Sequence, residues 1–276
     1  MTRAHLAAAA AAAATLTAGI AVAQTGTNTG TIGPKNHIQP SGRKLSPVGK
    51  LTPVGNHPGG GALTRNGRFL WVLDAGRGHN DIRIVDAAPA VGCKKGKKGN
   101  KCRKSAKKRL GKVIQTIPMP GVSGGIAMAG DGKSAYVSGV PDSPYTDEKS
   151  APGTPGVEGD VIHTFRINKK TGIATRGATI PVPPPSGTSG PQNFPPTSLQ
   201  ARAWPRDIAV TKDGKTLLVA LNLADQAAII DLKSKAIKYV ATGRFPYGAA
   251  ITRDGKGLVS NEADGTVSVI DLKQGT

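Results

Sequence analysis

The sequence predicts an all-β protein built from repeated units of short strands. Its 37 Gly and 21 Pro among 276 residues make the chain rich in turns, while 38% hydrophobic residues supply a core. Short apolar runs alternate with Gly-containing turns, as in hairpins. No segment requires a helix longer than one or two turns. A polytopic membrane protein is excluded, because no second run of about twenty apolar residues follows the N-terminus.

The N-terminus has the order of features found in a secretory signal peptide. Arg3 gives a short basic start, residues 6–20 are apolar and rich in Ala, and residues 21–23 form an A-x-A cleavage pattern. We therefore expect residues 1–23 to be a signal peptide, and the protein to be secreted or associated with the cell wall, without a transmembrane span after cleavage. The alternative is an Ala-rich helix that stays attached. Residues 24–45 are small and polar, which predicts a flexible leader.

Four hairpin turns mark an internal repeat. Each turn joins Asn or Asp to Gly, which supplies the positive φ angle that a tight strand connection needs. A proline stands eight residues before three of the turns, at Pro58, Pro205 and Pro246, and Ser123 takes this place in the other unit. The turns are Asn66-Gly67, Asp131-Gly132, Asp213-Gly214 and Asp254-Gly255.

Each turn connects two short apolar strands, and a third strand follows. The third strands end in an acid or its amide, which we interpret as structural because it recurs with the repeat. These residues are Asp86, Asn168, Asp231 and Asp271. Some units add a fourth strand, such as residues 237–241, and four short strands make one propeller blade.

The repeat therefore predicts a β-propeller with about four blades. The last two turns are 41 residues apart, which is a blade-sized period, and the longer spacings indicate insertions. The predicted blades cover about residues 46–86, 113–170, 176–236 and 237–276, and the insertions cover about 88–112, 141–159 and 182–203.

The last unit resembles a known repeat. Residues 246–256, Pro-Tyr-Gly-Ala-Ala-Ile-Thr-Arg-Asp-Gly-Lys, and residues 266–271, Thr-Val-Ser-Val-Ile-Asp, resemble the YVTN-type repeat of YncE-like and lactonase-like seven-bladed β-propellers. The resemblance covers about residues 46–276 and implies a fold rather than an activity. The leader and first blade also resemble secreted bacterial proteins in which such a propeller precedes an alkaline-phosphatase-like phosphoesterase domain.

The resemblance implies more blades than the chain contains. Seven blades of about forty residues need about 280 residues before any insertion, whereas four units are found here. The blade count favours a truncated gene product, in other words an incomplete seven-bladed propeller. Two alternatives stay open: an unusual four-bladed ring, or an assembly with another copy of the chain.

The first insertion contains both cysteines. Cys93 and Cys102 enclose a short loop in a chain expected to be exported, and no competing thiol exists, so we predict that they form a disulfide. No His lies nearby and the segment is crowded with cations, which argues against a metal site. Redox catalysis would place the cysteines two residues apart.

The same insertion concentrates positive charge. The chain has a net charge of +20, and residues 94–109 hold ten cations. They are Lys94, Lys95, Lys97, Lys98, Lys101, Arg103, Lys104, Lys107, Lys108 and Arg109. Such a segment could bind an anionic cell-wall polymer, an acidic polysaccharide or anionic lipid headgroups. Export and the lack of interleaved aromatic residues argue against nucleic acid. A solvated lysine-rich loop is the alternative.

Candidates for catalysis are few. Asp74, His79 and Asp81 are expected in one interblade loop, where they could bind a cation or a ligand; capping of the turn by the two acids is the alternative. His163 is expected to be a residue of a sheet. No nucleophile elbow, phosphate-binding loop or dinucleotide fingerprint is present. We predict no cofactor and assign no metal site.

These features favour binding over catalysis. The repeats and the lack of a convincing catalytic set predict a secreted, non-catalytic module that binds a ligand or partner protein or acts as a scaffold. A more specific hypothesis is that the chain is the truncated N-terminal part of a phosphoesterase-like protein. The alternative that the resemblance implies is a lactonase-like hydrolase acting on a sugar lactone. The presence of only three Glu residues argues against it.

Overall fold

The predicted repeats fold as antiparallel sheets. The structure is a computed structural model, and it describes residues 50–76, 79–119, 121–139, 160–183, 185 and 203–276. Within this part, Thr52–Thr276 belong to one compact unit. The predicted signal peptide, the leader, the second insertion and most of the third lie outside the described residues.

Four sheets follow one another along the chain, and sequential strands pair side by side in each, except that the last short strand of the second sheet pairs with the third strand of that sheet. The described part is therefore an incomplete β-propeller, which confirms the predicted all-β class. The first sheet contains β1 (Pro58–Leu63), β2 (Phe69–Gly76), β3 (His79–Asp86) and β4 (Lys112–Pro118). The second contains β5 (Val122–Met128), β6 (Ser134–Gly139), β7 (Val161–Ile167), β8 (Ala174–Arg176) and β9 (Ile180–Pro181).

The third sheet contains β10 (Pro205–Val210), β11 (Thr216–Leu221), β12 (Gln226–Asp231) and β13 (Ile237–Ala241), and the fourth contains β14 (Pro246–Ile251), β15 (Lys256–Asn261) and β16 (Thr266–Asp271).

The boundaries between the observed sheets differ from the predicted blade boundaries. Strand β4 pairs with β3 in the first blade, and β13 pairs with β12 in the third. The predicted blade bounds place both strands at the start of the following unit, because an outer strand carries no sequence mark of the blade it joins.

The repeated turns and prolines give every blade the same frame. Gly67, Gly132, Gly214 and Gly255 all have positive φ, as the turn prediction requires. The prolines begin β1, β10 and β14, and in each case the pairing register shifts directly after them. These first strands pack side by side, β1 with β5, β5 with β10 and β10 with β14. We call the end of the blades that carries Gly67, Gly132, Gly214 and Gly255 the turn end. The opposite end, where the second strand of each blade leads into the third, is the hairpin end.

The core lies between successive sheets. Trp71 of the first blade meets Phe165 of the second edge to face, with ring centres 5.5 Å apart. Further clusters join the second blade to the third and the third to the fourth. Val267 and Val269 on the free face of the fourth blade are 58% and 65% exposed. Their counterparts in the third blade, Ala227 and Ile229, are buried under the fourth.

The first insertion contains an α-helix, so the prediction of no helix longer than two turns was wrong. Helix α1 spans Lys97–Lys107, about three turns. Its Lys, Arg and Ala residues favour a helix intrinsically, but its buried residues are only Gly99 and Ala106. A pattern with so few apolar residues shows no helical period in the sequence. Gly99 is needed, since a Cβ there would lie on the carbonyl oxygen of Lys94.

Candidate functional site

The basic insertion is held in a defined shape. Cys93 and Cys102 form a disulfide, which confirms the predicted pairing, and their Cα atoms are 5.8 Å apart. The bridge ties the loop before helix α1 to the middle of that helix. At the far end, the N–H of Gly111 donates to the carbonyl oxygen of Asp86, which closes the insertion onto the first blade. The insertion therefore starts and finishes at the turn end.

All ten predicted cations of the insertion are exposed. Among the described residues, Arg109 is the member of this set with a carboxylate within 4 Å, since its Nε lies 3.8 Å from Oδ2 of Asp86. Arg103 donates to the amide oxygen of Asn100. The remaining charges have no acidic counterpart in the described part of the chain, so their fields add.

The two ends of the blades differ in charge. Exposed cations follow the strands at the turn end: Lys133, Lys169, Lys170, Lys212, Lys215 and Arg253. Exposed acids lie at both ends: Asp225, Glu262 and Asp264 at the hairpin end, and Asp131, Asp213, Asp231 and Asp254 at the turn end. Six Asp side chains at the turn end are held by neighbouring groups; Asp131, for example, accepts the N–H of Lys133 at 2.7 Å. These carboxylates keep their charge, but exposed cations outnumber exposed acids at the turn end, so the positive field of the insertion continues across it.

Asp74, His79 and Asp81 were expected in one interblade loop, but they lie on strands β2 and β3 within the first blade. Asp74 pairs with Asp81 across these two strands, and His79 pairs with Gly76. Arg83, which the sequence analysis did not single out, donates from Nε and Nη2 to the two oxygens of Asp81 at 3.0 Å. Its Nη2 lies 3.6 Å from Oδ2 of Asp74. The hydrogen bond to Asp81 raises the pKa of Arg83 above its usual value. The two acids therefore share an internal counter-ion.

A cavity of about 190 Å³ lies at the hairpin end of the first strands. Arg206 dominates it: its guanidinium stacks 4.4 Å from the ring centre of Tyr247 and donates to the hydroxyls of Ser123 and Tyr247. Burial raises the pKa of the neighbouring Asp207, although the N–H groups of Ala249 and Ile208 counteract it. Sequence reasoning missed these residues. The available signal was their position, one or two residues after a repeated proline.

The part of the chain that the structure describes bears on three points: metal binding, membrane crossing and the place of His163. No group of three His, Cys, Asp or Glu there could hold a metal ion. None of its helices is both long and apolar enough to cross a membrane. His163 is fully buried in β7, as predicted for a sheet residue. Burial lowers its pKa to about 4.

Comparison with known proteins gives no family. No family model and no curated protein matches the chain. Among solved structures, a Bacteroides uniformis protein provisionally named a 6-phosphogluconolactonase is 16% identical over 78% of this chain and 50% of its own, with a TM-score of 0.49. A Lactobacillus plantarum protein is 14% identical over 80% and 53%, with a TM-score of 0.48. The chain spans about half the length of these structures.

Proposed function

We propose that this chain is an exported, non-catalytic β-propeller module that binds an anionic polymer through its lysine-rich insertion. The observation that carries the proposal is the set of ten exposed cations at 94–109, of which only Arg109 has a carboxylate within 4 Å among the described residues. Such a field attracts a polyanion and loses strength as salt screens it, over about 8 Å at physiological ionic strength.

The helix favours a polymer over a membrane surface. A helix that lies in a lipid interface presents a broad apolar face to the acyl chains. Helix α1 instead turns Gly99 and Ala106 inward and exposes cations around the rest of its surface. Eight of the ten cations are Lys, which act as point charges without a fixed bonding geometry. Such charges suit a repeating polyanion, for example a phosphate-bearing cell-wall polymer or an acidic polysaccharide.

The disulfide supports the same role. An isolated helix of this length is marginal in water, and the like charges along it repel one another. The Cys93–Cys102 bridge reduces the freedom of the unfolded loop. Its charges are then already arranged before the polymer arrives, which lowers the entropy lost on binding.

A charge-neutralised variant tests the proposal. Lys94, Lys95, Lys97 and Lys98 are changed to Gln, and binding to isolated anionic cell-wall polymer is measured across a salt titration. Binding should weaken at least about tenfold, since a surface lysine contributes up to about 1 kcal/mol beside an anionic surface, and the salt dependence should flatten. The matched control changes Lys215, Lys233, Arg253 and Lys273 to Gln, which removes as much charge from the third and fourth blades.

The outcomes separate the alternatives. Equal binding by the parent and the insertion variant would refute the proposal and leave a solvated loop. Equal weakening by both variants would show that only net charge matters. Binding to anionic vesicles but not to the polymer would favour a membrane surface instead.

Hydrolysis of a sugar lactone is the second candidate function, and the cavity at the hairpin end is the observation that favours it. Asp207 there has a raised pKa, as a general acid or base would need, and lies beside Arg206. Both oxygens of Asp207 already accept backbone N–H groups. Lactone turnover by the parent that Asp207→Asn abolishes, with folding intact, would establish this function.

A further inference from the structure

A second cavity lies at the turn end, between the first two blades. Its volume is about 270 Å³, equal to the liquid volume of about nine water molecules. Phe69 and Ile167, which are 1% and 6% exposed, form the apolar floor of the cavity, and Arg65, Asn66 and Lys169 supply polar groups. Gly132 leaves the rim open: a Cβ at this residue would lie 3.4 Å from Cε of Lys169 and 3.5 Å from Cβ of Arg65.

Among the described residues, the polar groups of this cavity keep hydrogen-bonding capacity for a ligand, although the charge of Lys169 also attracts that of Asp131. Within the described residues, no carboxylate lies within 4 Å of the charged nitrogens of Arg65 or Lys169. Asp131 is a neighbour of Lys169, but it accepts the N–H of Lys133 and the N–H and hydroxyl of Ser134. The side-chain oxygen of Asn66 accepts hydrogen bonds from Thr64 and Arg68, which leaves its amide nitrogen as a donor for a ligand.

The cavity and the basic insertion share one edge. Arg68 stacks on the ring of Phe69, 4.5 Å from its centre, and pairs with Asp86 through Nε and Nη2. The second oxygen of Asp86 also lies 3.8 Å from Arg109, the last cation of the insertion. One buried carboxylate therefore links the insertion to the wall of the cavity. A polymer lying on the insertion would reach the cavity within the same positive surface.

We propose that this cavity binds one anionic sugar unit of the polymer, an inference that rests on the proposed function. Arg65 and Lys169 would hold the oxyanion from both sides, and Asn66 would donate to a sugar oxygen. The sugar ring would lie over the apolar floor formed by Phe69 and Ile167. The insertion would then supply affinity for any polyanion, whereas the cavity would select the unit. A phosphate and a carboxylate share this chemistry, so both are tested.

Monomers separate the cavity from the insertion, because a single anion lacks the multivalent attachment that a polymer gains along a row of lysines. Glucose 6-phosphate and glucuronate are titrated into the mature chain, with the backbone amide signal of Gly132 as the NMR readout. We expect saturable binding of at least one of them. Arg65→Gln with Lys169→Gln should weaken it at least tenfold. Arg253→Gln with Lys233→Gln, an equal charge change on other blades, should not.

The outcomes are distinct from those of the proposed function. Monomer binding that survives in the Lys94, Lys95, Lys97 and Lys98 variant supports the cavity, even if polymer binding is lost. Failure of both monomers to shift the Gly132 signal overturns the cavity proposal and leaves polymer binding by the insertion untouched. Equal monomer affinity in the parent and the Arg65 and Lys169 variant also overturns it. A preference for one monomer identifies the anion.

Discussion

Arg68 and Asp86 form a two-pronged ion pair at the turn end of the first blade, with both nitrogen-to-oxygen distances at 3.1 Å. Lys256 and Asp271 occupy the same repeat positions in the fourth blade, where Nζ lies 2.7 Å from Oδ2. In each pair a cation two residues into the turn meets the acid that ends the third strand. In these two blades the acid therefore fastens the third strand to the turn, whereas Asp231 and Asn168 accept N–H groups just after their own strands. Both arrangements agree with the structural interpretation of these residues.

Asp86→Ala should lower the free energy of unfolding by about 3 kcal/mol, because it leaves Arg68 without the partner it has in a largely buried pair. Urea unfolding followed by circular dichroism measures the change. The control is Lys215→Gln, which breaks an exposed ion pair, because the side chains of Lys215 and Asp213 are 79% and 57% exposed; it should cost far less, since exposed ion pairs contribute little. Equal costs for the two variants would contradict this role for Asp86.

His163 should make the fold sensitive to mild acid. Burial lowers its pKa to about 4 in the folded chain, against about 6.5 when unfolded. Below pH 6.5 the unfolded state therefore binds more protons, so stability falls as the pH drops from 6.5 toward 4, by up to about 3 kcal/mol. Unfolding free energies at several pH values should show this slope in the parent. His163→Leu should remove it, whereas a change at exposed His57 should not.

Two positions with the same register give a paired test of packing. Ile229 and Val269 are equivalent residues of β12 and β16, but Ile229 is 8% exposed and Val269 is 65% exposed. Ile229→Ala should cost about 3 kcal/mol through the lost contacts and the cavity. Val269→Ala should cost about 0.5 kcal/mol or less. Thermal unfolding of both variants measures the two costs. A large cost for Val269→Ala would contradict the exposed position of Val269 and indicate that another molecule covers this face.

The repeated turns of the blades could be predicted from the sequence, because the local chemistry of a few residues determines them. Turns such as Asp213-Gly214 need positive φ, and the structure has it at Gly214. The disulfide was predictable for a similar reason, since Cys93 and Cys102 have no other thiol to pair with. Blade membership of an outer strand such as β13 is decided by its partner in space. No local pattern marks that partner, so the predicted boundaries were displaced by one strand.

The sites depend even more on distant contacts. Arg65 and Lys169 are more than a hundred residues apart, and only the packing of two blades places them at one cavity. The same holds for Arg206 and Tyr247 at the hairpin end. The basic insertion was visible in advance because ten charges lie within sixteen consecutive positions, 94–109. Its helix was hidden, since helix α1 buries too little apolar surface to leave a period.

The disulfide should stabilise the insertion rather than the blades. Changing Cys93 and Cys102 to Ala removes a constraint of about 3 kcal/mol on a short loop, and that loop lies outside the four sheets. Hydrogen exchange of the helix α1 amides should then quicken by up to about a hundredfold, since every 1.4 kcal/mol is a factor of ten. The thermal midpoint of the sheets should shift by only a few degrees, and Ser105→Ala, exposed on the same helix, serves as the control. Unchanged helix exchange, or collapse of the sheets, would contradict this division of roles.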